Sequence, residues 1–143
     1  MTSIYGFLPN RNQSEIQELF AELNNNPAVG KIGVNEAIEG VSGAKVQTIS
    51  FENFSGTEMM KRIAAASEGA DYLLVVTKET SVRPGQFFVE RMVEVARSTG
   101  AGMVYSDYME VKEGRLAAHP VIDYQAGSLR DDFNFGPVVL YNA

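Results

Sequence analysis

The chain has no cysteine and a single histidine, His119, among its 143 residues. Without cysteine there is no disulfide framework, no thiolate nucleophile and no Cys-ligated zinc, which fits a cytoplasmic protein. One histidine excludes a multi-histidine metal site and any Ser-His-Asp triad not built on His119. Basic residues are also scarce: 12 Lys and Arg face 18 Asp and Glu, for a formal charge of −6. Gripping a phosphate backbone needs clustered Lys and Arg, so nucleic acid is not an expected partner. No apolar run approaches the roughly 20 residues that cross a bilayer. The opening Met1-Thr2-Ser3-Ile4-Tyr5 shows neither the basic segment nor the apolar core of a signal peptide. With 45% hydrophobic and 21% charged residues, the composition is that of a globular protein. One α/β domain over residues 1–143 is the natural division, and such a chain buries about 68–70% of its unfolded surface.

What the sequence does hold is concentrated in residues 55–108. A small-residue helical segment leads into an unbroken apolar run, Tyr72-Leu73-Leu74-Val75-Val76, which stops at Thr77-Lys78-Glu79-Thr80. A five-residue apolar run between helical segments reads as a central strand of a parallel sheet, covered on both faces. A second short strand, Met103-Val104-Tyr105, ends in Ser106-Asp107-Tyr108. In such sheets ligands bind beyond the carboxyl ends of the strands, and here both ends carry an acid, Glu79 and Asp107. Acids so placed suit a metal-bridged phosphate.

The rest of the chain supplies the sheet and its cover. Ile4-Tyr5-Gly6-Phe7-Leu8 reads as the first strand, and Ser14-Glu15-Ile16-Gln17 as a capping box opening a helix with Ile16, Leu19, Phe20 and Leu23 at helical spacing. Lys31-Ile32-Gly33-Val34 and Lys45-Val46-Gln47-Thr48-Ile49 read as further strands, and residues 57–67 as a helix. Pro84 suits the first turn of a helix carrying Phe88, Met92, Val95 and Ala96 and ending at Gly100. Met109-Glu110-Val111 and Leu116-Ala117-Ala118 flank Lys112-Glu113-Gly114-Arg115 as a hairpin. Residues 119–134 read as loop and residues 135–142 as a last strand. The alternating order predicts a three-layer α/β/α domain with a mostly parallel sheet and a C-terminal hairpin and strand. A chain ending just after a strand reads as part of a longer polypeptide.

The ordered set resembles the N-terminal, donor-binding part of a family 2 glycosyltransferase of the GT-A fold. The pieces are Leu8-Pro9-Asn10 after the first strand, Asn35-Glu36 after the second, the helix and strand from Ser55 to Leu74, then Pro84-Gly85, a helix, and Tyr105-Ser106-Asp107-Tyr108. The resemblance implies a nucleotide-diphosphate sugar, UDP- or GDP-linked, as ligand. Pro9 and Asn10 would lie beside the nucleotide and Glu36 would hydrogen-bond the base. Lys61 and Arg130 would meet phosphate, and Glu79 and Asp107 would hold Mn2+ or Mg2+.

Departures from the family pattern bear on activity. Thr77-Lys78-Glu79 stands where the family places Asp-x-Asp, so only the second acid survives, as Glu. A divalent ion needs several oxygen ligands at about 2.0–2.6 Å, and one Glu supplies one or two. The catalytic residues are unassigned, because the family's base and acceptor wall lie beyond the equivalent of Ala143. His119, Asp123, Asp131 and Asp132 are the local candidates, all expected in loops. Each residue also has a plain reading: Glu79 and Asp107 as turn acids, Lys61-Arg62 as a solvated helix face, Arg130-Asp131-Asp132 as a charged turn. Two functions stay open, the donor half of a sugar transferase and a non-catalytic module that binds a nucleotide or a protein. A receiver-like domain fits poorly, since Pro9-Asn10-Arg11 stands where receivers cluster acids.

Overall fold

A computed structural model describes residues 1–9, 16–37, 42–52, 56–77, 82–120 and 134–143. Its core is a six-stranded sheet built from β1 (Ile4–Leu8), β2 (Val29–Val34), β3 (Val46–Thr48), β4 (Tyr72–Val76), β5 (Met103–Val104) and β8 (Val138–Asn142). The spatial order is β3-β2-β1-β4-β8-β5. Every pairing from β3 to β4 is parallel, whereas β8 runs antiparallel to both β4 and β5. β6 (Tyr108–Lys112) and β7 (Arg115–His119) form a separate two-stranded ribbon.

The apolar run at Tyr72–Val76 is a central strand, with all five residues buried. Period-two alternation splits its side chains between two cores. Tyr72, Leu74 and Val76 join Ile4 and Leu8 beneath α1 (Gln17–Asn25) and α3 (Phe88–Thr99), through Leu19, Phe20, Leu23, Val89, Met92, Val93 and Ala96. Leu73 and Val75 join Tyr5 and Phe7 beneath α2 (Thr57–Ala66), through Met59 and Ile63. The domain is therefore mixed α/β, with helices on both faces of a mostly parallel sheet. Polar ties fix the helices to the sheet. Asn26 donates to Glu90 at 2.8 Å, joining the end of α1 to the start of α3. Lys45 donates to the Asn24 and Asn26 carbonyls at 2.9 and 3.2 Å, placing a cation on the negative end of α1.

Several boundaries differ from those the pattern suggests. α3 starts at Phe88, not at Pro84, because Phe87 takes a left-handed conformation (φ 56) that keeps the preceding turn out of the helix. Val95 is 46% exposed, since the buried stripe is Val89, Met92, Val93 and Ala96. The last strand is shorter than expected, beginning at Val138. His119 belongs to β7 and not to a loop. The capping box at Ser14 falls outside the described residues.

Candidate functional site

The first two crossovers define where a ligand can sit. From β1 the chain passes through α1 to β2, and from β3 through α2 to β4 on the other side of β1. The chain thus moves outward from β1 through α1 and then returns past β1 through α2, with α1 and α2 on opposite faces. The crevice at such a switch point, beyond the carboxyl ends of β1 and β4, is the usual ligand position in open α/β sheets.

Three sequence-predicted residues fall along this carboxyl edge. Pro9 is buried directly after β1, Glu36 is exposed after β2, and Asp107 is exposed between β5 and β6. Lys61 sits elsewhere: it lies two residues from both Met59 and Ile63, the buried stripe of α2, and is exposed on the outer face of that helix. Asn10, Glu79 and Arg130 lie outside the described residues, as do Asp123, Asp131 and Asp132.

The position of β8 changes the geometry expected for a metal. Because β8 lies between β4 and β5, the ends that lead to Glu79 and Asp107 stand two strand spacings apart, roughly 10 Å. Thr77, where the family has its first acid, is tied into the sheet. Its hydroxyl donates to the Gly136 carbonyl at 2.7 Å, and its N–H donates to the Pro137 carbonyl at 2.8 Å. Among the described residues no three of His, Asp and Glu gather closely enough to hold a metal ion.

A second group of side chains stands at the same edge. The ring of Tyr108, at the foot of β6, packs over Gly136. A Cβ on Gly136 would sit 3.0 Å from Tyr108 Cδ1, and the residue's φ of +90° suits glycine. Asn134 donates from Nδ2 to the Tyr108 hydroxyl at 3.1 Å, and its Oδ1 accepts from the Gly136 N–H at 2.9 Å. Across the ribbon, Tyr108 pairs with His119, and their rings stack with centroids 5.1 Å apart and planes within 7°. His119 Nε2 donates to Glu110 Oε2 at 2.8 Å, and Lys112 Nζ approaches the same oxygen at 3.1 Å. The Lys112 ammonium, helped by His119, holds the Glu110 carboxyl below the usual carboxylate range. Sequence reading named His119 but placed it in a loop and missed its partners, because they meet only through the register of the ribbon. The available signal was the turn at Glu113-Gly114, which sets Tyr108 opposite His119.

No family model matches the chain, and no curated protein or solved structure proved similar to it. Among the described residues, no helix is long and apolar enough to cross a membrane.

Proposed function

We propose that this domain binds a nucleotide-diphosphate sugar at the carboxyl edge of its sheet, as the donor half of a family 2-like glycosyltransferase of GT-A type. The supporting observation is the switch point between β1 and β4, whose carboxyl ends stand side by side. In this reading Pro9 and Asn10 flank the nucleotide and Glu36 meets the base. Arg130 and Lys61 offset phosphate charge, although Lys61 lies on the outer face of α2. Glu79 and Asp107 are the acids this reading offers to Mn2+ or Mg2+.

Titration calorimetry with UDP and GDP, with and without manganese, tests the proposal. Measurable heat that grows with manganese is the expected result, and Glu79→Ala should weaken both affinity and metal dependence. A diphosphate beside uncompensated carboxylates is repelled, so the ion must intervene. Unchanged affinity in Glu79→Ala would remove that residue from the site. A second reading, a non-catalytic α/β module, is favoured by one observation. Both hydrogen-bond donors of Thr77 are spent on the β8 junction, so its donors serve the sheet rather than a ligand. Absence of heat with any nucleotide would favour it.

A further inference from the structure

We draw no further inference here: the strongest candidate, the exposed apolar face that Met109, Val111 and Leu116 form on the β6–β7 ribbon, carries no proposal because nothing in the structure shows what covers it.

Discussion

The central strands and the β6–β7 ribbon treat their apolar residues in opposite ways. In β1 and β4 every side chain is buried, on whichever face it falls. In the ribbon the apolar positions Met109, Val111 and Leu116 face solvent, while Tyr108, Glu110 and His119 lie half-buried. A two-stranded ribbon is at best marginally stable alone. This one is secured at its foot, through Tyr108, Asn134 and Gly136, and not through an apolar face. Hydrophobicity reports packing in the sheet. In the ribbon it does not.

The sharpest way to break this comparison is a pair of truncations. Leu74→Ala should cost about 2–5 kcal/mol, because Leu74 is fully buried in the core under α1 and α3. Leu116→Ala should change stability by no more than about 0.5 kcal/mol, as for a surface site. Urea unfolding of both variants measures the difference. Equal costs would mean the ribbon packs like the sheet.

A smaller effect probes how tightly the sheet is filled on its other face. A Cβ on Gly33 would meet Tyr5 Cζ and Ile49 Cδ1 at 2.9 Å. Gly33→Ala should therefore destabilise by about 1–3 kcal/mol through overpacking. Among the described residues the buried Tyr5 hydroxyl has no hydrogen-bond partner, and burial pushes the phenol up to about 12. Tyr5→Phe should accordingly be neutral or stabilising, and it should soften the Gly33→Ala penalty. Additive costs in the double variant would show that the two positions do not touch.

The smallest effect belongs to the ribbon and depends on pH. The folded Glu110 carboxyl lies below its ordinary value, chiefly through Lys112. Its contribution is thus present above the ordinary carboxylate range and lost as pH falls through the folded value. Thermal midpoints of the wild type and Glu110→Gln should therefore converge on acidification below about pH 4. A gap that stays constant with pH would exclude the ion pair as its cause.

The parts of the fold legible in the sequence are those set by local pattern. The run Tyr72–Val76 announces a strand buried on both sides, and Glu113-Gly114 announces the turn between β6 and β7. Gly100 marks the end of α3. The start of that helix was less legible. Pro84 suits a first turn, but the left-handed Phe87 delays the helix to Phe88. Nothing local in Val138–Asn142 reveals that this strand enters between β4 and β5 and reverses direction, since partner choice depends on distant residues. The candidate site was legible only as positions after strands. Pro9, Glu36 and Asp107 do stand at the carboxyl edge, but Lys61 faces away from the sheet. The fixed surroundings of His119 required the cross-strand register and the contact with residues 134–136. Alternation says which residues share a face, not which face meets the rest of the protein.

The insertion of β8 has a consequence for how the domain comes into being. β4 and β5 are separated by a single helix in the chain, yet neither pairs with the other. Each waits for residues 138–142, and Val76 finds its partner only at Val138. A nascent chain can assemble β1 to β4 with α1 and α2, but one side of β4 stays an open edge until β8 has been synthesised. Pairings so distant in sequence slow folding, because loop entropy is spent before any contact returns it. During synthesis that apolar edge is the part of the chain most in need of protection from other strands.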